Sequence, residues 1–162
     1  MSANPFDATP KVPASSPDFS HAPTRQVKNS PANVQLPTDE QLVLKVIPMP
    51  RDCNANGDIF GGWVMAQVDL AGAVIAAPYA DGRMATVAVN EFIFKQPVRV
   101  GDILSFFGKL VRIGRTSITV KIEVYAENFR AQGKYTKVTE ASLTYVAIDD
   151  HGTPREVPRA AA

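Results

Sequence analysis

Asp69 has the position that most strongly indicates chemistry, because it lies in the middle of a long apolar stretch. Residues 62–77 read GWVMAQVDLAGAVIAA, and Gln67 and Asp69 are their only polar side chains. Taking an ionised carboxylate out of water costs several kcal/mol unless a partner compensates it. A carboxylate in apolar surroundings is also a better proton acceptor than an exposed one. We therefore predict that Asp69 is a general base; the alternative is a helix residue that faces solvent or serves as a cap.

A second carboxylate, Asp58, precedes Asp69 by eleven residues, in the segment NANGDIFGG. This spacing is close to three helical turns, so both carboxylates would lie on one side of a helix, roughly 16 Å apart. If both serve one site, we expect Asp58 or its neighbour Asn56 to come from a partner subunit across a two-fold axis. Asp58 could instead be the N-cap of the following helix, a role compatible with the first.

Gly61 and Gly62 stand where that helix should begin. Two glycines at a helix N-terminus let a ligand approach free backbone amides at the positive end of the helix dipole. Such amides can polarise a carbonyl oxygen and stabilise an oxyanion. A turn or a close packing contact explains the pair equally well.

The segment Gly114, Arg115, Thr116 and Ser117, preceded by Arg112, is a further candidate binding site. Backbone amides in a tight turn, two hydroxyls and nearby arginines suit phosphate groups. A plain hairpin turn has the same pattern and is the alternative.

The sequence lacks the patterns of several other kinds of catalytic or binding site. The two histidines, His21 and His151, lie near the ends of the chain, which argues against a Ser-His-Asp triad or a histidine base. No Cys/His metal spacing, Walker motif or dinucleotide fingerprint occurs. We therefore expect carboxylates, amides and water to carry any chemistry, without a metal ion or cofactor.

Charge and composition bound the partners and the compartment. The 17 basic and 16 acidic residues leave a net charge of +1, so we expect no nucleic-acid partner. The start of the chain lacks the pattern of a secretory signal, and the apolar run over 62–77 is short for a membrane span. One cysteine, Cys53, fits a reducing compartment, and the cytoplasm is the expected location.

The first part of the chain differs in composition from the rest. Seven of the 13 prolines lie within the first 37 residues, with few large apolar side chains. Such a segment cannot bury enough surface to offset its ordering entropy. We predict a disordered arm over 1–38, one folded domain over 39–158 and a flexible tail over 159–162.

The folded part reads as one strand, one apolar helix and four more strands. Ile118, Val120 and Ile122 alternate with polar residues, as in a sheet with one wet face. Short turns between the later strands favour antiparallel neighbours. Pro78 is expected to end the helix. The predicted strands are 42–49, 84–94, 102–113, 116–127 and 135–148, and the predicted helix is 62–77.

An apolar helix must be surrounded, and about five strands curling around it would do so. This predicts an α+β fold in which an antiparallel sheet wraps around one central helix. The sheet would keep exposed edges and the helix an uncovered flank, so we predict at least a homodimer.

Several motifs in order resemble the hotdog-fold acyl-CoA thioester hydrolases, most closely the bacterial YciA type. The resemblance covers roughly residues 42–158 and excludes the proline-rich arm. The motifs are NANGDIFGGWVMAQVD, AGAVIA, GRMATVAVNEFIFKQPVRVGD, RIGRTSI and TYVAID.

The resemblance implies a five- or six-stranded sheet around one long helix, with two subunits joined edge to edge. It implies sites at that dimer interface and assembly into trimers of dimers. Asp69 matches the family's catalytic base or nucleophile, and the loop from Asn56 to Asp58 would face it from the other subunit. The implied reaction is hydrolysis of an acyl-CoA thioester to a free acid and coenzyme A. Coenzyme A is then part of the substrate, and no separate cofactor is implied.

The same resemblance assigns further roles. The amides of Gly61 and Gly62 would hold the thioester carbonyl while Asp69 activates water, although direct attack by Asp69 through an anhydride stays open. Arg112 and the turn 114–117 would meet the phosphates or pantetheine of coenzyme A. Asn90 stands where close relatives are expected to have glutamate, which leaves its role in substrate binding open.

Three aromatic residues could line an acyl tunnel, although core packing is the alternative for each. They are Phe60, Trp63 and Phe92.

Two other functions are considered for the same sequence. A non-catalytic acyl-CoA-binding domain would use the same pocket without cleaving the ligand. A dehydratase on the same fold would need a histidine in its site, and the predicted core has none.

Overall fold

Residues 33–158, the part of the chain that the computed structural model describes, form one long helix and five strands. The order confirms the α+β prediction of one strand, one helix and four strands. The elements are β1 (Gln41–Val46), α1 (Gly61–Ala80), β2 (Met84–Phe94), β3 (Asp102–Ile113), β4 (Ser117–Asn128) and β5 (Ala131–Ala147).

The five strands make one antiparallel sheet in the order β1-β3-β4-β5-β2. The apolar and polar residues that alternate along β4 lie on opposite faces of the sheet, as the sequence predicted. Ile118, Val120 and Ile122 are fully buried on the helix side, while Lys121 and Glu123 lie on the outer side. Strand β2 pairs with β5 on one side and forms an edge of the sheet on the other.

α1 packs against the helix side of the sheet and contacts all five strands. Val64, Val68 and Ala76 are fully buried there, together with Leu104 and Phe106 of β3. Each fully buried large apolar side chain contributes about 1.5–3 kcal/mol to the free energy of folding. This packing fixes the position of α1, and therefore of every functional group that it carries.

The predicted end of the helix is wrong, because α1 continues through Pro78 to Ala80. Proline removes one helical hydrogen bond and crowds the carbonyl of Val74. Both residues lie on the exposed side of α1, where water can satisfy that carbonyl.

The last turn of α1 is held by an arginine from the C-terminal segment. Arg155 Nη2 donates to the carbonyl oxygens of Ala80 at 2.6 Å and Asp81 at 3.0 Å, and its Nε donates to Ile148. A Cβ at Gly82 would lie 2.8 Å from Arg155 Nη2, so glycine leaves room for the guanidinium. These donors satisfy carbonyls that a helix C-terminus leaves without partners.

β5 begins at Ala131, four residues earlier than predicted, so a short turn at Phe129 and Arg130 joins it to β4. The predicted longer loop is wrong because Ala131 already pairs with Asn128, with a register shift between this pair and the next, Glu127 with Tyr135.

Near this hairpin, the backbone amide of Val34 donates to the carbonyl of Tyr135 at 3.0 Å. The paired backbone therefore begins before the predicted boundary at residue 38. The predicted arm over 1–32 and the tail over 159–162 lie outside the described residues and stay predictions.

At 20 residues, α1 has the length and apolar composition of a membrane span, as the core helices of many soluble proteins do. The apolar run of 16 residues was judged short for a membrane span. Because α1 has 20 residues, its length no longer argues against a span. The burial of one side of α1 against the sheet is the arrangement of a core helix.

Candidate active site

Asp69 lies in the middle of α1, half-buried, with its carboxylate directed at hydroxyl groups of two strands. Thr86 Oγ1 on β2 donates to Asp69 Oδ1 at 2.7 Å. The hydroxyl of Tyr145 on β5 donates to the backbone oxygen of Asp69 at 2.8 Å and lies 3.2 Å from Oδ1. These O–H groups are the compensation that a carboxylate in an apolar helix requires.

The surroundings of Tyr145 keep its hydroxyl a donor. Its side chain is only 1% exposed. Burial raises the pKa of Tyr145 above its ordinary value, and the charge of Asp69 and the hydrogen bond to it act in the same direction. Tyr145 therefore stays protonated at neutral pH and above.

The side of α1 next to Asp69 that faces away from the sheet is apolar. Leu70 is 58% exposed and Val74 is 52% exposed. The run 62–77 has only two polar side chains, and the exposed side of α1 accordingly carries hydrocarbon. Asp69 thus lies at the border between a packed core and an uncovered apolar surface.

Asn54 organises the loop that precedes α1. Its Oδ1 accepts the backbone amides of Asn56 at 2.8 Å and Asp58 at 3.3 Å, and its own amide donates to the carbonyl of Asp58. Gly57 has φ of +82°, a conformation that glycine adopts without strain. The side chain of Asn56 lies on the surface of this loop.

Asp58 is not a helix N-cap, because Phe60 occupies that position. The Asp58 carboxylate instead lies 3.9 Å from Arg99 Nε, and the two residues pair as an isolated bridge. Since α1 starts only at Gly61, the helical spacing between Asp58 and Asp69 does not apply, and that part of the prediction is wrong.

A cavity of about 330 Å³ opens at the N-terminus of α1. Asp58 and Gly61 line it, so the structure brings these two predicted residues together. A Cβ at Gly61 would lie 3.0 Å from Phe94 Cζ, which explains the glycine by the packing of that ring. The other lining residues are Ile59, Val64, Phe94, Lys95, Gln96, Pro97 and Val98.

The amides of Gly61 and Gly62 have no acceptor in the described part of the chain, whereas Trp63 and Val64 donate to the carbonyl of Phe60. Gly62 is exposed, and a Cβ added there would meet nothing within 4 Å. Two free donors at a helix N-terminus can hold an oxyanion.

These two donors and Asp69 do not meet within one chain. Gly61 precedes Asp69 by eight residues of α1, which is about 12 Å along the helix axis. The hydroxyl-bound carboxylate and the cavity therefore lie at separate points of the same helix.

The segment 114–117 is a tight hairpin turn between β3 and β4, in which Gly114 donates to the carbonyl of Ser117 at 2.7 Å. Arg115 Nη1 lies 3.6 Å from Glu156 Oε1, and Thr116 accepts the amide of Ala147. Arg112 and Arg115 are exposed. The turn is anchored to the C-terminal segment and presents its arginines to solvent.

The aromatic candidates differ in their surroundings. Phe60 is exposed, whereas Trp63 and Phe92 are half-buried and pack on the core. Phe92 and Phe94 have ring centroids 4.8 Å apart. Asn90 is exposed on β2, where its Nδ2 donates to Thr144 Oγ1 at 2.8 Å.

No group of three or more His, Cys, Asp or Glu side chains that could hold a metal ion occurs within residues 33–158.

Comparison with known proteins identifies the family. The profile of the Thioesterase superfamily matches residues 56–131. The acyl-CoA thioester hydrolase YciA of Escherichia coli K12 is 45% identical over 119 residues, which are 72% of this chain and 90% of that protein. The chain belongs to the acyl-CoA thioester hydrolases of this superfamily.

Solved structures of other thioesterases show the same fold as this hydrolase. A hexameric thioesterase from Yersinia pestis is 46% identical with a TM-score of 0.72, and the match covers 77% of this chain and 100% of that one. A hexameric broad-specificity acyl-coenzyme A thioesterase is 40% identical with a TM-score of 0.72, over 80% of this chain and 89% of that one. It has also been solved as an aspartate-to-alanine mutant. The expected hotdog fold is confirmed.

Sequence reasoning missed several residues of the hydrolase that contact the candidate groups. Thr86 and Tyr145 hold Asp69, Arg99 faces Asp58, and Asn54 shapes the loop. Asn54 carried a local signal, because an asparagine two residues before Asn-Gly is typical of a side-chain-stabilised turn. Thr86 and Tyr145 reach Asp69 only through the pairing of β2 with β5 and the packing of α1, and Arg99 meets Asp58 through an isolated bridge.

Proposed function

We propose that this hydrolase cleaves acyl-CoA thioesters to a free carboxylic acid and coenzyme A, with Asp69 as the general base. The observation that carries the proposal is a half-buried carboxylate on the central helix, held by two hydroxyls beside an uncovered apolar surface. Membership of the acyl-CoA thioester hydrolase family supports the same reaction.

In the proposed step, Asp69 takes a proton from water as the water oxygen attacks the thioester carbonyl carbon. The carbonyl oxygen becomes an oxyanion that accepts hydrogen bonds from the amides of Gly61 and Gly62. The C–S bond then breaks, and the departing thiolate of coenzyme A takes up the proton. Direct attack by Asp69 to form an anhydride is the alternative route to the same products.

The separation of about 12 Å along α1 between Gly61 and Asp69 supports a site shared by two subunits. Asp69 of one subunit would face the loop from Asn56 to Asp58 and the Gly61 and Gly62 amides of its partner. The free edge of β2 and the exposed apolar side of α1 supply a surface for such pairing. We further propose a trimer of such dimers, which the hexameric relatives support.

The arginine-bearing turn is the proposed contact for coenzyme A. Arg112 and Arg115 are exposed next to the hydroxyls of Thr116 and Ser117, which suits phosphate or pantetheine. Phe60, Trp63 and Asn90 are the proposed contacts for the rest of the substrate. We place the protein in the cytoplasm, without a nucleic-acid partner or membrane insertion.

Release of free thiol from short-, medium- and long-chain acyl-CoAs tests the proposal. We expect turnover by the wild type and a loss of about 100-fold or more in kcat for Asp69→Asn, the scale of a lost general base. Asp150→Asn, a change at an exposed carboxylate, is the matched control and should leave kcat unchanged. Binding of acyl-CoA without thiol release by the wild type would instead favour the non-catalytic binding domain.

A further inference from the structure

We propose that Thr86 and Tyr145 are positioning residues that hold Asp69 Oδ1, so that Oδ2 is the oxygen that takes the proton of the attacking water. The inference rests on the proposed function, in which Asp69 is the base. It deepens that function by naming the reacting atom and the residues that select it.

The two carboxylate oxygens have different surroundings. Oδ1 accepts from Thr86 Oγ1 at 2.7 Å and lies 3.2 Å from the Tyr145 hydroxyl. Oδ2 has no hydrogen-bond donor within the described residues 33–158. Since Thr86 donates to Oδ1 and the Tyr145 hydroxyl lies against it, Oδ1 is the less accessible oxygen and Oδ2 is left for water.

Tyr145 also fixes the backbone from which the carboxylate projects. Its single O–H lies within hydrogen-bond distance of the Asp69 backbone oxygen, at 2.8 Å, and of Oδ1, at 3.2 Å. A donor shared between two acceptors of one residue couples the main chain to the side chain. Rotation of the Asp69 side chain would break both the shared contact and the bond from Thr86.

Gly72 explains how a tyrosine hydroxyl reaches a helix carbonyl. Gly72 lies three residues after Asp69, on the same side of α1. A Cβ at this position would collide with the Tyr145 hydroxyl. Glycine is unfavourable inside a helix, so its presence here is accounted for by the space that Tyr145 needs.

Tyr145 remains a donor over the pH range in which a thioesterase would be assayed. Burial raises its pKa above the ordinary value, and the neighbouring charge of Asp69 raises it further. The hydroxyl therefore stays protonated while Asp69 cycles between its ionised and protonated forms.

Paired substitutions test the role of the two hydroxyls. Thr86→Val removes the hydroxyl and keeps the shape, and Thr86→Ser keeps the hydroxyl. Tyr145→Phe has a matched control in Tyr125→Phe, since Tyr125 is also buried but donates to Glu123 on the outer face. We expect kcat to fall about 10- to 100-fold in Thr86→Val and Tyr145→Phe, the scale of a hydrogen bond to a charged group. KM should stay within about twofold, and Thr86→Ser and Tyr125→Phe should retain wild-type kcat.

A double-mutant cycle separates positioning from a general structural effect. If Thr86 acts through Asp69, adding Thr86→Val to Asp69→Asn should lower the residual kcat no further. An additional 10-fold loss in the double variant would overturn the inference. Melting temperature and oligomer size are measured for every variant. If Tyr145→Phe does not fold, the Thr86 series decides alone, because Thr86 is exposed in the subunit.

The outcomes also separate this inference from the proposed function. Wild-type kcat in Thr86→Val, together with an inactive Asp69→Asn, would overturn the positioning role and leave the base assignment standing. An active Asp69→Asn would overturn the base assignment and the positioning role with it.

Discussion

At the residue scale, two carboxylates of this hydrolase are held by tyrosine hydroxyls on opposite faces of the sheet. Asp69 lies on the helix face with Tyr145, and Glu123 lies on the outer face with Tyr125. Lys121 and Lys137 both contact Glu123 Oε1, the latter at 2.8 Å, whereas Asp69 has hydroxyl partners. Glu123 is therefore neutralised by cations, whereas the hydrogen-bond partners of Asp69 carry no charge.

Glu123 gives a pH-dependent prediction for stability. Burial alone would raise its pKa, but hydrogen bonds from Lys121, Lys137 and Tyr125 outweigh burial and lower the pKa from 4.5 to about 2. A carboxyl whose pKa is lowered on folding stabilises the protein above its unfolded pKa and loses this contribution as pH falls. The stabilisation should therefore disappear between about pH 4.5 and pH 2.

Urea unfolding of the wild type and Glu123→Gln between pH 2.5 and pH 7 measures this contribution. We expect the wild type to be more stable near neutral pH, and the difference in free energy of unfolding to shrink steadily below about pH 4.5. A difference that stays constant across the window would show that the lysines do not stabilise ionised Glu123.

At the element scale, the helix and the strands could be predicted from the sequence, but the end of α1 and the start of β5 could not. Alternation over 118–127 and the apolar run before Pro78 identified β4 and α1, because both patterns depend on local periodicity. The end of α1 depends on Arg155, which lies 75 residues beyond Ala80 and leaves no local signal. The start of β5 was missed because the turn residues of 128–133 were read as a loop.

Arg155 also gives a prediction for the helix end. Arg155→Ala should lower the free energy of unfolding by about 1–3 kcal/mol, since the carbonyls of Ala80 and Asp81 lose a charged donor. Arg130→Ala, in the exposed β4–β5 turn, is the matched control and should change stability by less than about 0.5 kcal/mol. Equal effects of the two substitutions in thermal or urea unfolding would contradict a capping role.

At the scale of the whole molecule, the catalytic candidates named from sequence divide into two separated groups. Asp58 and Gly61 meet at one cavity, while Asp69 lies further along α1. The partners of Asp69 were not predictable, because Thr86 and Tyr145 are 17 and 76 residues away along the chain. Only the pairing of β2 with β5 and the packing of α1 bring them together.

The exposed apolar side chains of α1 and β2 offer a surface on which a second subunit would bring the separated catalytic groups together. Both α1 and β2 carry exposed apolar side chains, and β2 is an edge strand. Exposed apolar side chains beside a free sheet edge are typical of an interface between subunits. The members on β2 are Val87, Val89, Ile93 and Phe94, and those on α1 are Met65, Leu70 and Val74.

If two subunits complete one active site, oligomers that mix two inactive variants should regain activity. One variant carries Asp69→Ala, and the other carries Asn56→Ala with Asp58→Ala. Each alone should be inactive in thiol release from acyl-CoA. After the two are unfolded and refolded together at equal concentration, random pairing should restore about a quarter of wild-type activity, because half the dimers regain one of two sites. No recovery in oligomers proven to contain both variants, or full activity of the loop variant alone, would contradict the shared site.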